Sequence, residues 1–263
     1  MNILITGAAS GIGKAVMDCF LNNDHNVYAI DIIKIDEHKN LTSFIVNIKE
    51  ETSLNYVKQY LIDNDIKLDI IINIAGIHKM TSLVENSFDN IKNLIDINLI
   101  GTMLVNNVFY SLLTEKGKIM IVTSEVAAFD PLPFNGLYTV SKNALDSYAQ
   151  ALRQELNLLG QKVITIRPGA IETKLSANSM IDTEYLANNT VLYKKQAKNF
   201  LGIAKKFMGK PIKPIKVAKL IYIVSLKKHP KLNYSIHSNL GLVLLNLLPR
   251  RMQCFIIKLI LNK

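Results

Sequence analysis

Short, dense apolar runs alternate with longer amphipathic patterns over the first two thirds of the chain. Dense runs are typical of parallel strands buried on both faces, whereas apolar residues at a spacing of three or four indicate helices. The runs predict strands at 3–5, 26–30, 43–46, 68–72, 118–122 and 162–166, with a candidate final strand at 233–237. The patterns between them predict a helix after residue 13 and further helices at 51–64, 88–113, 138–158 and 215–226. This alternation indicates an α/β fold with a parallel sheet.

The first unit of the chain is a strand, a turn with three glycines and a helix. Gly7, Gly11 and Gly13 follow the first strand, and the helical pattern begins directly after them. In dinucleotide-binding folds such glycines permit a sharp turn, close approach of the backbone to a pyrophosphate, and tight packing of helix on sheet. The helix N-terminus then offers free N–H groups to the phosphates. The alternative is a structural turn that binds no ligand.

The composition favours one sizeable domain. The chain has 263 residues, of which 49% are hydrophobic and 20% are charged. No internal repeat or low-complexity linker divides it, so we predict a single domain. Cys19 and Cys254 form no disulfide framework, and the five scattered histidines predict no metal site. We therefore expect a reduced, cytoplasmic setting, without a signal peptide.

Charge is distributed unevenly along the chain. The formal net charge is +10, yet no acidic residue follows Glu184, and residues 185–263 carry 14 lysines and 2 arginines. A split of this kind suggests an anionic partner, which could be a membrane surface, a substrate or a nucleic acid. The alternative is a bias toward solvated lysines. No aromatic-interleaved basic motif is present, so we expect no nucleic-acid binding.

The last third of the chain contains two apolar patterns. Lysines surround an apolar stripe within 193–208, made of Phe200, Ile203, Ala204, Phe207 and Met208. Residues 240–261 are very apolar but are interrupted by Asn246, Pro249, Arg250, Arg251 and Lys258. A proline and two arginines at one point argue against a spanning helix. The segment could lie on a membrane surface, but packing on the core or on a second subunit is the favoured interpretation.

Asp31 ends the second predicted strand. A carboxylate at this place can accept hydrogen bonds from both hydroxyls of an adenosine ribose, and it repels a 2′-phosphate. The residue therefore favours NAD over NADP. Lys34 is the reservation, because its ammonium group could reach a phosphate. The alternative for Asp31 is an ordinary turn residue at a strand end.

Tyr138 and Lys142 lie four residues apart and share one face of a predicted helix. A lysine ammonium beside a tyrosine favours the phenolate and lowers its pKa from about 10, which suits an acid/base group working near neutrality. Ser124 lies at the end of a predicted strand, 14 residues before Tyr138. The three residues in this order are a much stronger signal than the pair alone.

Taken in order, five motifs resemble the short-chain dehydrogenase/reductase family over about two thirds of the chain. They are the turn Thr6-Gly7-x-x-x-Gly11-x-Gly13, the segment Asn73-Ile74-Ala75-Gly76, Asn98, the set Ser124, Tyr138 and Lys142, and the segment Arg167 to Thr173. The resemblance implies a Rossmann-like, doubly wound sheet of about seven strands. It also implies a nicotinamide-dependent interconversion of a secondary alcohol and a ketone. Residues 1–173 would be the cofactor-binding and catalytic core, and residues 174–263 the substrate-covering helices and the C-terminal segment.

The resemblance assigns roles to four catalytic residues. Tyr138 exchanges the hydroxyl proton, Lys142 binds the ribose of the nicotinamide, Ser124 bonds the substrate oxygen, and Asn98 holds a water linked to Lys142. The implied cofactor contacts are Gly7, Ser10, Gly11, Ile12, Gly13, Asp31, Asn47, Ile48, Asn73, Ala75, Gly76, Tyr138, Lys142, Pro168, Gly169, Ile171 and Thr173. Ser10 stands where many NADP-using members carry a basic residue, which again favours NAD. Ile74 and Asn47 depart from the family, which has Asn and often Asp at these places.

The resemblance leaves several interpretations open. The chain lacks the Asp-Gly-Gly turn that ends many members, and its last third does not identify the substrate. A basic cap could instead serve a reductase of carrier-linked 3-oxoacyl groups. A third possibility is a sensor that binds NAD at a membrane without catalysis. His78 follows the Ala75-Gly76 turn and could line the site, but the favoured interpretation is a solvated loop residue. The family commonly forms dimers or tetramers through its two long helices, here 88–113 and 138–158.

Overall fold

In the computed structural model, which describes residues 1–207 and 210–263, seven strands form one parallel sheet. Its order is β3-β2-β1-β4-β5-β6-β7. The strands are β1 Asn2–Thr6, β2 Asn26–Asp31, β3 Leu41–Ile45, β4 Leu68–Asn73, β5 Leu113–Val122, β6 Lys162–Pro168 and β7 Asn233–Ile236. The order reverses direction between β1 and β4, and such a switch point is where open α/β sheets bind ligands. The predicted fold is confirmed.

Helices cover both faces of the sheet. The helices are α1 Gly11–Leu21, α2 Glu51–Asp63, α3 Phe88–Ile95, α4 Thr102–Phe109, α5 Gly136–Asn157, α6 Lys174–Asn189, α7 Lys194–Phe207, α8 Pro214–Leu226, α9 Leu240–Asn246 and α10 Arg250–Leu261. Helices α1 and α8 pack on one face, where Val16, Phe20 and Ile221 are fully buried. Helices α2, α4 and α5 pack on the other face around Val57 and Phe109.

The helix predicted at 88–113 is interrupted in the structure. A π-helical turn, Asp96–Gly101, separates α3 from α4, and a 3-10 turn, Tyr110–Leu112, follows α4. Strand β5 begins at Leu113, and its regular ladder with β4 begins only at Lys118. The apolar pattern therefore predicted the regular part of β5, from Lys118 to Val122, but not the irregular residues 113–117 before it.

A third apolar cluster forms a cap beside the sheet. It joins α6, α7 and α10 with two loops, through Met80, Phe134, Leu186, Ala197 and Leu261. Phe200 and Ile203 of the predicted lysine-flanked stripe pack against it. Of the same stripe, Met208 and the side chain of Phe207 lie outside what the structure describes. The favoured interpretation of 240–261, packing on the core, holds for one side of α10.

The C-terminal third contributes the last strand of the sheet, β7, and then the two helices α9 and α10. β7 pairs with β6 although the Asp-Gly-Gly turn is absent, which confirms the candidate strand at 233–237. The apolar segment after it is broken into α9 and α10 at Pro249. Among the described helices, none is both long and apolar enough to cross a membrane.

Candidate active site

The glycine turn brings β1, α1 and β4 into close contact. Gly7 has a φ of +71°, and a Cβ on it would lie 2.8 Å from the backbone of Ala75. A Cβ on Gly13 would lie 1.8 Å from the carbonyl oxygen of Gly7. Only glycine fits at these two places, because any side chain would meet backbone that cannot move away. Bare backbone therefore lines the carboxyl end of β1.

The N-terminus of α1 is open toward this turn. Ser10 is the N-cap residue, but its side chain makes no capping hydrogen bond, and the first turn of the helix carries no acidic side chain. The first N–H groups of a helix have no partner within the helix, and together with the helix dipole they favour an anion. Gly11 and Ile12 thus present donors where the resemblance places a pyrophosphate.

Asp31 lies beside the same turn. Its Oδ2 accepts a hydrogen bond from the backbone N–H of Ala9 at 2.9 Å, and its Oδ1 accepts one from Ile33 at 3.1 Å. Each carboxylate oxygen can accept a second bond. The carboxylate is therefore fixed at the end of β2 with capacity left for ribose hydroxyls. The donors of the α1 N-terminus, the bare glycine backbone and this carboxylate together fit a dinucleotide.

The end of β4 is tied to its neighbours by polar side chains. Thr6 Oγ1 accepts from the N–H groups of Ile74 and Ala75, at 3.2 and 3.3 Å. Asn73 is buried, and its Nδ2 donates to Asn106 Oδ1 of α4 at 2.8 Å. The Asn73 side chain thus holds the strand end against α4, as predicted for the family motif.

Asn98 is fully buried in the π-helical turn. Its Oδ1 accepts from the N–H of Ile77 at 2.8 Å, and its Nδ2 donates to the carbonyl of Ile77 and to Ser141 Oγ at 2.9 and 3.0 Å. A Cβ on Gly76 would lie 3.1 Å from Asn98 Oδ1 and 3.4 Å from Lys142 Nζ. One amide therefore connects the turn after β4 to the neighbourhood of Lys142.

Ser124, Tyr138 and Lys142 are buried together at the carboxyl end of β5. Ser124 caps a short 3-10 turn, Glu125–Ala128, that follows the strand. Lys142 Nζ lies 5.8 Å from the centre of the Tyr138 ring and donates to the carbonyl oxygen of Val122 at 3.4 Å. The structure thus brings the three residues together, as their order in the sequence predicts.

Burial shifts the pKa values of Tyr138 and Lys142 in opposite directions, each toward the uncharged form. It raises the pKa of Tyr138 to about 12; the Ser124 hydroxyl opposes this rise and the Glu125 carboxylate adds to it. Burial also lowers the pKa of Lys142 to about 8. In this arrangement desolvation is the largest influence on the Tyr138 pKa, and it acts in the direction opposite to the lowering expected from Lys142.

Two further residues at this site were missed by the sequence interpretation. The His78 ring lies 4.3 Å from the Tyr138 ring, centre to centre, and its Nε2 bonds Asn135 Oδ1 at 3.0 Å. Burial lowers the pKa of His78 to about 4, so the imidazole is neutral. It is not the solvated loop residue favoured from the sequence; its place two residues after Gly76 was the available signal.

Glu125 is the second missed residue. It follows Ser124 directly, and burial raises its pKa. Its Oε2 accepts a hydrogen bond from the N–H of Asn239 at 2.6 Å. No local pattern could have found this contact, because the two residues are 114 positions apart.

The segment after β6 closes the site on its remaining side. A Cβ on Gly169 would lie 2.0 Å from the carbonyl oxygen of His237, so this turn also needs a glycine. Thr173 caps α6, and a Cβ on Gly11 would approach its side chain to 3.1 Å. Pro168 and Ile171 are buried on either side of the turn. The predicted segment therefore does meet the glycine turn.

Ile48 and Asn47, two of the predicted cofactor contacts, have side chains that already contact other residues of the protein. Ile48 is buried and would lie 2.7 Å from a Cβ on Gly101, so its side chain packs on the π-helical turn. The Asn47 side chain accepts from the N–H of Lys49 at 3.2 Å. The described residues hold no cluster of acidic, histidine and cysteine side chains suited to a metal ion.

Comparison with known proteins gives a consistent result. Residues 1–184 match the family model for the short chain dehydrogenases. An uncharacterized oxidoreductase of Staphylococcus saprophyticus is 26% identical over 188 residues, which cover 67% of this chain and 80% of that protein. The NADPH-dependent 1-acyldihydroxyacetone phosphate reductase of Schizosaccharomyces pombe is 29% identical over 186 residues, covering 68% of this chain and 62% of that protein.

Solved structures match over most of the chain. A short chain dehydrogenase family protein of Francisella tularensis has a TM-score of 0.74 and 25% identity, and the match covers 89% of this chain and 96% of that one. A dehydrogenase of Burkholderia cenocepacia in complex with NADP and 4-hydroxyisoleucine dehydrogenase complexed with NADH share the fold, with TM-scores of 0.73 and 0.69.

Proposed function

Because the chain belongs to the short-chain dehydrogenase/reductase family and is an oxidoreductase of the nicotinamide-dependent kind, we propose that it interconverts a secondary alcohol and a ketone. The observation that carries the proposal is the shared burial of Ser124, Tyr138 and Lys142 beside the glycine turn. When bound, a nicotinamide supplies the hydride chemistry. The protein binds and orients the reactants and moves the proton.

Tyr138 is the acid/base group of this proposal. With a pKa of about 12 it holds its proton near neutrality and is set to donate it to the oxygen of a ketone. The Ser124 hydroxyl donates a hydrogen bond to the same oxygen as negative charge develops there. Alcohol oxidation, which needs the phenolate, requires the ammonium group of Lys142 to act on the ring from its present distance of 5.8 Å.

NAD is the proposed cofactor. The Asp31 carboxylate stands where it would accept from ribose hydroxyls and repel a 2′-phosphate, and Ser10 adds no positive charge. Lys34 is exposed in the same segment, and its ammonium group is a cation that could reverse the preference. The relative from S. pombe uses NADPH by its name, so the preference has to be measured for this chain.

The substrate class is tested directly with a panel. Sugar, steroid, fatty-acyl and small alcohols, with the matching ketones, are incubated with the purified chain and either NAD or NADP, and absorbance of the reduced cofactor is followed. We expect turnover of at least one member, with NAD preferred. A carrier-linked 3-oxoacyl substrate turned over with NADPH alone would favour the reductase alternative.

We also propose that the chain forms a homodimer or homotetramer through α4 and α5. An apolar depression lies between these helices, lined by Ile100, Met103, Leu104, Tyr110, Tyr148 and Leu152. Ile100 and Met103 are 48% and 37% exposed. Exposed apolar surface in a continuous patch is typical of a subunit interface.

A reducing, cytoplasmic location completes the proposal. Both cysteines are free: Cys19 is half-buried in α1 and Cys254 is exposed on α10. An exposed free thiol is compatible with a compartment that keeps thiols reduced.

A further inference from the structure

The two C-terminal helices have one side engaged with the protein. Ile257 and Leu261 of α10 belong to the apolar cluster of the cap. Asn199 Nδ2 of α7 donates to the carbonyl of Leu261 at 2.9 Å. Gln253 is buried, and its Nε2 donates to Asp130 at 3.1 Å. The inner side of α10 is therefore fixed in place.

The same helices are joined to the loop that follows Ser124. The Asp130 N–H donates to Asn246 Oδ1 at the end of α9, at 2.7 Å. Its carboxylate forms an ion pair with Arg250 at 3.0 Å. Glu125 receives the N–H of Asn239, the residue that caps α9. The two helices are thus held as a defined surface and do not form a loose tail.

The outer side carries two apolar rows that no residue of the described ranges, 1–207 and 210–263, covers. Leu240 and Leu244 of α9 and Leu247, which caps its C-terminus, follow one another at helical spacing and are 76%, 64% and 75% exposed. On α10, Met252, Phe255 and Leu259 do the same and are 49%, 62% and 52% exposed. We call these six side chains the docking face. Single exposed apolar residues are common, but two helical rows of them on adjoining helices mark an interaction surface.

Positive charge borders the docking face. Arg251 and Lys258 are seven residues apart, so they lie on one side of α10, each one position before a member of the apolar row. Within the described part of the chain, neither forms an ion pair. The sequence has no acidic residue after Glu184 that could neutralise them. An apolar row with a cationic border is the pattern of a helix that lies in the surface of a membrane.

We propose that the docking face binds the surface of an anionic lipid bilayer. Anionic headgroups complement Arg251 and Lys258, and the apolar rows enter the boundary between headgroups and acyl chains. A second copy of the chain fits less well, because a two-fold contact through α10 would bring Arg251 and Lys258 of both copies to one surface, and the sequence after Glu184 provides no carboxylate to pair with them. The proposal does not depend on the reaction, and its test measures binding alone.

The test is sedimentation of the full chain with vesicles. Vesicles of phosphatidylcholine alone are compared with vesicles that also contain phosphatidylserine, at low and at high salt. We expect binding to the anionic vesicles only, and release as salt screens the charges. The double variant Phe255→Ser/Leu259→Ser should bind at least about tenfold more weakly. Its control is Tyr56→Ser, which removes an aromatic side chain that is 69% exposed on α2, and which should bind as the wild type does.

The contribution of Arg251 and Lys258 to vesicle binding is tested with a second double variant and its matched control. Arg251→Gln/Lys258→Gln should weaken binding to anionic vesicles and flatten its salt dependence. Lys67→Gln/Lys116→Gln removes two exposed cations from the first 184 residues and should change neither. If the α10 variants fail to keep the wild-type melting temperature, Leu244→Ser/Leu247→Ser replaces them, because α9 has no buried residue.

Three outcomes would overturn the proposal. The first is wild-type protein that stays in the supernatant with phosphatidylserine vesicles at low salt. The second is a folded docking-face variant that binds those vesicles as well as the wild type. The third is a wild-type dimer, seen by light scattering, that the same variant dissociates, since the face would then join two copies of the chain.

Discussion

At the residue scale, the spacing of Tyr138 and Lys142 predicted their proximity but not their charge states. A separation of four on a helix fixes the common face, whatever surrounds it. The pKa values depend on desolvation by the surrounding fold and, for Tyr138, also on the Ser124 hydroxyl and the Glu125 carboxylate. These contacts are distant in sequence, so the pattern could not give the direction of the shifts.

Replacing Asp31 tests the cofactor preference. Asp31→Ala removes the acceptor of the ribose hydroxyls and the repulsion of a 2′-phosphate, so the preference for NAD over NADP should narrow at least about tenfold, or roughly 1.4 kcal/mol. Dissociation constants from cofactor fluorescence measure it. Asp36→Ala, an exposed carboxylate in the same segment, is the control. Tighter binding of NADP than NAD by the wild type would refute the role given to Asp31.

Lys142 should lower stability at neutral pH. Its pKa is about 8 in the folded chain and about 10.4 in an unfolded one, so the unfolded state binds more protons between these values. The charged form opposes folding below pH 8, and this cost disappears as the pH rises toward 10.4. Lys142→Met should therefore unfold with a free energy higher by roughly 1–3 kcal/mol at pH 7, and the gain should shrink by pH 9.5.

Urea denaturation at both pH values measures this difference. Comparison of the variant with the wild type removes the effect of the other titrating groups, which the two share. Lys116→Met, at an exposed position, should show no such change. A loss of stability in Lys142→Met at pH 7 would contradict the account.

At the element scale, the order of strands and helices was predictable, whereas the interruptions were not. Dense apolar runs identify the central, buried parallel strands whatever their neighbours are, whereas the half-exposed edge strand β7 was only a candidate. The π-helical turn Asp96–Gly101 keeps the apolar pattern of the helix around it, so periodicity could not reveal it. The turn positions the Asn98 amide so that it forms hydrogen bonds with the N–H and the carbonyl of Ile77.

Replacing Asn98 tests whether its amide stabilises the π-helical turn. Asn98→Ala leaves the N–H and the carbonyl of Ile77 without their partner, and each lost bond in a buried place costs about 1–3 kcal/mol. We expect the free energy of unfolding to fall by roughly 2–4 kcal/mol and turnover to fall with it. Asn107→Ala, exposed on α4, is the matched control. Equal stability of the two variants would show that the amide does not hold the turn.

At the scale of the whole molecule, the sequence motifs predict the sheet and the residues at its carboxyl end, but they do not predict the cap. The cap joins Phe134 to Leu261 and α7 to α10, and such contacts have no local signature. The charge split was visible in the sequence, but only the structure shows that α10 presents one side to the cap and the other to solvent. The resemblance places substrate recognition in this part of the chain, so the motifs of the sheet could not identify the substrate.

The proposed subunit interface is a prediction at this scale. Met103→Glu/Leu152→Glu puts two carboxylates into the depression between α4 and α5, and burying unpaired charge at an interface is costly. We expect light scattering to give a dimer or tetramer for the wild type and a smaller species for the variant. A wild-type monomer at micromolar concentration would contradict the interface.

We propose that Tyr138 exchanges the proton at the reacting oxygen, and removing its hydroxyl tests this role most directly. Tyr138→Phe keeps the ring and its packing against His78, so the affinity for NADH should stay within about twofold of the wild type. Turnover of the substrate found in the panel should fall by about 10²–10⁴-fold. The control is Tyr148→Phe, since Tyr148 lies on α5 like Tyr138. It removes a hydroxyl that accepts a hydrogen bond from Asn106 of α4, and it should leave turnover nearly unchanged. A Tyr138→Phe rate within about threefold of the wild type, where a fall of about 10²–10⁴-fold is predicted, would contradict the account.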